Sequence, residues 1–276
     1  GLYASLLARQ FSATLIVAHA FTLSQAAMEV EVDGTLLSRQ RKDLNFLLSD
    51  QAAALASGSM AVIPILKDGD PIEVLPELAD SYSPAMLVLG THGGGWMQRK
   101  LIGSVAERVL RTSRWPTLTV GPEASPPRPD QPFQRILYAT DLDPGNAAAA
   151  ALALRMAEAT AAEIDVLHVV EGGTDEESLN AGRERYARAL GDVLPGKPDV
   201  FRNSEMLVAA GDVHEQILNH IKRRVIDLLI LGIRKTSYWG IQTNSSGAFP
   251  LIVQAECPVL TITDGDAANS LLPGDR

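Results

Sequence analysis

Apolar residues in the second half of the chain come in short unbroken runs, separated by longer stretches of helical spacing. "RILYAT" (135–140), "EIDVLHVV" (163–170), "SEMLVAA" (204–210), "IDLLILG" (226–232) and "PVLTIT" (258–263) are the runs. The alanine-rich "PGNAAAAALALRMAEAT" (144–160) and "DEESLNAGRERYARALGDVL" (175–194) read as helices between them. So does "DVHEQILNHIKRR" (212–224), which places Val213, Ile217, Leu218 and Ile221 on one face. Runs of four to eight apolar residues alternating with helices predict a parallel sheet covered on both faces. Five strands suit a doubly wound fold, whose ligand site lies beyond the strand C-termini where the strand order reverses.

The pattern occurs twice. "LGTHGGGWMQRKLIGSVAERVLRTSRWPTLTV" from Leu89 aligns without a gap on the stretch from Leu231, at an offset of 142 (231 − 89). "KDGDPIEVLPELADSYSPAMLVLG" matches "AAGDVHEQILNHIKRRVIDLLILG" at the same offset. "ATLIVAHAF" matches "EIDVLHVV", which sets His19 over His168 at an offset of 149 (168 − 19). The chain therefore reads as two homologous domains, 1–122 and 134–265. The proline-rich "GPEASPPRPDQP" between them reads as a linker. Nothing in the first copy matches "QRILYATDLDPGNAA" (134–148), so the first domain is expected to lack its first strand. Either the sequence is a piece of a longer protein or the first sheet is short or completed from outside. The former is favoured, because losing a central strand exposes apolar core.

Composition narrows the function classes. Hydrophobic residues make up 46% of 276, enough for a sizeable core. The net charge is −9 with no basic cluster, which argues against nucleic-acid binding. The single cysteine, Cys257, excludes an internal disulfide and a cysteine metal site. No apolar run approaches the roughly 20 residues of a membrane span. A cytoplasmic protein without membrane contact is the expectation.

The candidate chemistry lies between residues 90 and 105. Gly90 ends an apolar strand; Gly93 and then Gly103-Ser104 follow with the spacing G-x2-G-x9-G-S. Glycine at a strand end allows a sharp turn and a close ligand approach. The amino end of the helix that follows offers free N–H groups to an anion. A competing reading needs no ligand: Ser104 and Glu107 form S-x-x-E, a capping box that would start the helix by itself. Placement after the fourth strand of a doubly wound unit favours a phosphate site.

These features together resemble the tandem universal stress proteins, UspA-like domains of the adenine nucleotide alpha-hydrolase-like fold. They are the two halves, the strand ending "YATD", the "LHVV" strand and the spaced glycines. The resemblance implies ATP or a related adenine nucleotide, with or without Mg, bound in a regulatory stress-response role. In the first domain Gly90, Gly93, Gly103, Ser104 and Val105 match the phosphate and ribose part, and Leu89 and Ala20 flank the adenine. The aspartate that usually ends strand one has no counterpart there. The second domain has it, as Asp141, with Val169 after His168. Its loop has decayed, however: Gly93 becomes Lys235 and Gly103-Ser104 becomes Ser245-Ser246. The resemblance also implies pairing through the last strands, here "TLTV" with "VLTI" inside one chain, and is compatible with a homodimer. The alternative is an interaction or scaffold protein of the same fold that has lost nucleotide binding. Catalysis beyond slow ATP hydrolysis is not expected, since no base, nucleophile and orienting group recur at workable spacing.

Other residues carry weaker expectations. His19 and His168 read as structural histidines in buried strands. His92, Arg99 and Lys100 could reach a phosphate or simply face solvent. Asp141 could bind a ligand or close the "DLDPG" turn. Cys257 reads as an inert buried thiol. Trp96 and Trp239, in matching loops, read as packing residues.

Overall fold

The computed structural model describes residues 1–22, 35–82, 85–91, 102–142, 147–171, 176–177, 179–184, 206–233 and 248–263. The chain forms two compact units, Gly1–Ser83 and Pro84–Arg276. This division falls inside the first repeat rather than in the linker, for a reason that lies in the strand pairing below.

The first unit holds α1 (Leu2–Gln10), β1 (Leu15–Phe21), α2 (Thr35–Leu55), β2 (Val62–Asp68) and α3 (Pro71–Ser81). Strands β1 and β2 pair in parallel as a two-stranded sheet. Asp70 caps α3 by accepting the Ile72 N–H at 2.9 Å, and Pro71 sits in the first turn, where its missing N–H costs nothing.

The second unit is built on seven strands: β3 (Leu87–Gly90), β4 (Thr117–Val120), β5 (Arg135–Ala139), β6 (Glu163–Val170), β7 (Met206–Ala210), β8 (Leu228–Ile233) and β9 (Val259–Thr263). Their order is β3-β4-β9-β8-β5-β6-β7, parallel throughout except at β4–β9. The unit also holds helices α4 (Ser104–Thr112), α5 (Ala147–Thr160), α6 (Val213–Arg224) and α7 (Ala248–Gln254). Strands β5 to β9 form the expected five-stranded parallel sheet, with the order reversing at β5. Their apolar runs fill the core: Ile136, Leu137, Leu228, Leu229 and Ile230 are fully buried. On α6, Ile217 and Ile221 are buried, with Val213 and Leu218 packed beside them, as the helical spacing predicts.

The antiparallel seam is where the two repeats meet. Thr117, Leu118 and Thr119 pair with Thr261, Leu260 and Val259. Thr261 donates its hydroxyl to the Thr117 carbonyl at 3.3 Å, and Thr263 donates to that of Ser113 at 3.0 Å. This pairing attaches β3, α4 and β4 of the first repeat to the sheet of the second. The last strands thus pair within the chain.

The first repeat departs from the second in burial. In the second, β5 lies between β6 and β8, and both are buried along most of their length. Their counterparts by the repeat are β1 and β3, which are only half-buried. No strand among the described residues takes the place of β5 beside either. His19 is therefore exposed, contrary to the expectation of a buried strand residue. Its counterpart His168 is buried.

Candidate functional site

Gly90 closes β3 and Thr91 follows it into the interior, 2% exposed. The Thr91 N–H donates to the Val120 carbonyl at 3.2 Å, and its own carbonyl accepts the Gly103 N–H at 2.7 Å. Residues 91 and 103 are thus clamped together by the backbone, and the ends of the intervening loop are fixed. A Cβ at position 103 would lie 2.9 Å from the Thr91 oxygen, so this approach requires glycine. Gly103 has φ −65° and ψ 146°, conformations open to any residue; the constraint is space, not torsion.

Helix α4 begins at Ser104 with Gly103 as its N-cap, and no side chain among the described residues caps it. The capping-box expectation for Ser104 and Glu107 fails here. The box needs serine at the N-cap, and Ser104 is one residue inside the helix. Glu107 is directed elsewhere: its Oε1 accepts from Arg111 Nε at 3.1 Å and Nη2 at 2.8 Å. The first intrahelical bond runs from the Glu107 N–H to the Gly103 carbonyl at 2.9 Å. The amides of Ser104, Val105 and Ala106 therefore have no acceptor within the helix. Ser104 is exposed at this end, while Ala106, Val109 and Leu110 bury the opposite face. Amides without a helical acceptor at a helix amino end suit an anion.

By the repeat the corresponding place is the end of β8, whose loop lies outside the described residues; the second repeat's own candidate aspartate, Asp141, follows β5. The Thr140 N–H donates to the Leu167 carbonyl at 2.9 Å, and His168 Nδ1 lies 2.9 Å from the Thr140 carbonyl. A carbonyl only accepts, so Nδ1 carries the proton and His168 ties β6 to the strand end. The turn beyond is closed by Thr140, whose Oγ1 accepts the Leu142 N–H at 3.0 Å, and Leu142 takes a left-handed φ of 62°. Residues 143–145 of "DLDPG" lie outside the described residues, and Asp141 is exposed at the C-terminal edge of the sheet. Tyr138, one turn of strand earlier, has its phenol pushed up to about 12 by burial, with the Asp141 charge adding to the rise and a hydrogen bond from Thr140 opposing it. Cys257 is buried and its thiol pushed upward by desolvation, as an inert core residue should be.

The candidate residues do not all converge. Leu89, Gly90, Gly103, Ser104 and Val105 gather around the β3–α4 junction. Ala20 lies near the end of β1, in the first unit. Asp141 and Val169 lie at the ends of β5 and β6. Four strand spacings, about 19 Å, separate β3 from β5. The antiparallel β4–β9 step also turns the C-terminal ends of the two groups to opposite edges of the sheet. One nucleotide cannot span both, so any site at α4 and any site at Asp141 are separate. Gly93, His92, Trp96, Arg99, Lys100, Lys235, Trp239, Ser245 and Ser246 lie outside the described residues. Among the described residues, no group of three or more His, Cys, Asp or Glu side chains could hold a metal ion. Nor is any described helix long and apolar enough to cross a membrane.

Sequence pulls the same way as the fold. The family model of the universal stress proteins matches residues 2–121 and again 132–263. The chain belongs to the universal stress protein family. It contains two such domains, with the parallel-dominated α/β architecture described above. The structure of a universal stress protein from Archaeoglobus fulgidus DSM 4304 is similar over 96% of this chain and 91% of its own, at 19% identity and a TM-score of 0.68. A protein of unknown function from Pseudomonas aeruginosa PAO1 is similar over 96% and 88%, at 16% identity and a TM-score of 0.61. A universal stress protein solved in complex with cAMP covers 48% of this chain, with 99% of its own length, at 15% identity and a TM-score of 0.41. No curated protein matches the chain.

One feature that sequence reasoning missed is a buried charged cluster in the second repeat. Asp165 on β6 is fully buried and accepts from Arg224 Nε at 2.9 Å and Nη2 at 3.1 Å. His220 Nε2 lies 2.9 Å from the same carboxylate, and Arg223 Nη2 lies 3.2 Å from His220 Nδ1. The available signal was a charged residue inside the apolar run "EIDVLHVV" and a basic end on α6. The cluster fastens α6 to the sheet.

Proposed function

We propose that this universal stress protein is a regulatory module that binds ATP or a related adenine nucleotide at the amino end of α4. The phosphates meet the amides that follow Gly103, with Gly90 and Gly93 keeping side chains out of their path. Ser104 and Val105 contact the phosphate and ribose, and Leu89 flanks the adenine. Mg enters with the phosphates, as it commonly does. The observation that carries this reading is the start of α4: a glycine N-cap held by backbone contacts, no side-chain cap among the described residues, and a first-turn carboxylate engaged by Arg111.

In the second domain, Asp141 and Val169 belong to the base side of a separate site, whose phosphate loop carries Lys235 in place of glycine. Nucleotide there is bound more weakly than at α4. The module acts in the cytoplasm and binds rather than turns over its ligand, with hydrolysis at most slow. Isothermal titration of the intact chain with ATP tests the reading. A saturable heat is expected; no heat at any accessible ATP concentration would leave the alternative of a scaffold protein of the same fold.

A further inference from the structure

A side chain of the second repeat meets the last turn of α4, and three residues in a row link it to Glu107 in the first. Arg111, one turn after Glu107, holds that carboxylate through two hydrogen bonds. Its guanidinium also lies over the ring of Phe249, 5.0 Å from the centroid. Phe249 is on α7 of the second repeat, which packs into the same core cluster as Leu110 of α4. An arginine stacked on a ring loses side-chain freedom, so its fork is pre-organised for the carboxylate.

Glu107 is the first acidic residue of α4. An unrestrained glutamate in a first helical turn is drawn to the exposed amides by the helix dipole. There it would compete with an incoming phosphate for the same donors and repel it. We infer that Arg111, seated on Phe249, is a positioning residue for nucleotide binding: it neutralises Glu107 and holds it away from the amino end of α4. The second domain, whose own phosphate loop has lost its glycines, thereby sets the affinity of the first. This inference rests on the nucleotide reading above and adds to it how the neighbouring repeat tunes the site.

The test is a cycle of ATP affinities for the wild-type chain, Arg111→Met, Glu107→Gln and the double variant, with thermal melts to confirm folding. Arg111→Met should weaken ATP binding by about two- to fivefold, the range of one helix-terminus charge effect, and the loss should shrink in high salt. The double variant should return to within about twofold of wild type, because removing the carboxylate removes the need for its restraint. Phe249→Leu should give a smaller loss, likewise rescued by Glu107→Gln. If the wild type binds ATP and the double variant stays as weak as Arg111→Met, Arg111 acts through packing alone and the inference falls. If the wild type binds no ATP, the nucleotide reading itself falls, and the inference with it.

Discussion

Replacing Gly103 by alanine probes the β3–α4 junction with one methyl group. The new Cβ would sit 2.9 Å from the Thr91 carbonyl oxygen, whereas ordinary contact begins at 3.4 Å, so about 0.5 Å must be found. Thr91 cannot readily provide it. Its residue is 2% exposed, its N–H is bonded to Val120, and the clashing oxygen already accepts the Gly103 N–H at 2.7 Å. The amino end of α4 therefore moves instead. Overpacking of this kind costs about 1–3 kcal/mol. Alanine is also a poorer N-cap than glycine, which adds a fraction of about 1 kcal/mol. A total near ~2 kcal/mol should appear as a lower denaturant midpoint with unchanged slope. Because the displaced amides are those that meet the phosphates, ATP affinity should fall by about tenfold, the worth of one charge-assisted hydrogen bond. Urea unfolding and calorimetric titration on the same preparation read both quantities. A Gly103→Ala chain within about 0.5 kcal/mol of wild type and equal in ATP affinity would refute the claim that this junction is a close-packed phosphate cradle.

Three further outcomes follow from other parts of the molecule. Gly121→Ala should destabilise by at least the upper part of the same 1–3 kcal/mol range, about 3 kcal/mol, since its Cβ would fall 2.2 Å from the Ile252 carbonyl beside the seam; an unchanged urea midpoint would contradict this. Asp165→Ala should cost about 3–5 kcal/mol by leaving Arg224 and His220 without their carboxylate, and a melt within a few degrees of wild type would show that the cluster is dispensable. Tyr138 supplies a pH dependence: its folded value is raised from 10 to about 12, so its contribution is complete below pH 10 and is lost as pH rises through 12. The stability difference between wild type and Tyr138→Phe should therefore shift against the wild type by about 2–3 kcal/mol between pH 9 and pH 12, and a flat difference would contradict the burial of that phenol.

The parallel sheet was legible because its strands announce themselves: a fully buried strand such as "LLILGI" has no polar position to hide, and its spacing from "HEQILNHIKRR" leaves room for one crossover. The repeat was legible because insertion-free alignment preserves Trp115-Pro116 against Cys257-Pro258. Two things were not. The burial of His19 was inferred from its own strand, yet exposure depends on the neighbour, and among the described residues β1 has β2 alone beside it in its sheet. The start of α4 was misplaced by one residue. S-x-x-E fits a capping box, but the Gly103–Thr91 backbone bond sets the N-cap one residue earlier, and that bond is a contact across twelve residues which no local pattern records. The same one-residue shift removes the serine cap that the local pattern suggests. Sequence placed Asp141 in the second domain, but that it and the α4 site face opposite edges of one sheet depends on the antiparallel step at the seam.

The most direct measurement is an ATP titration followed by backbone amide shifts in a 15N-labelled chain. The account predicts saturable movement of the Ser104 and Val105 amides at lower ATP concentration than any movement at Asp141 or Val169. Shifts confined to Asp141 and Val169, or none at Ser104 and Val105 at saturating ATP, would contradict it.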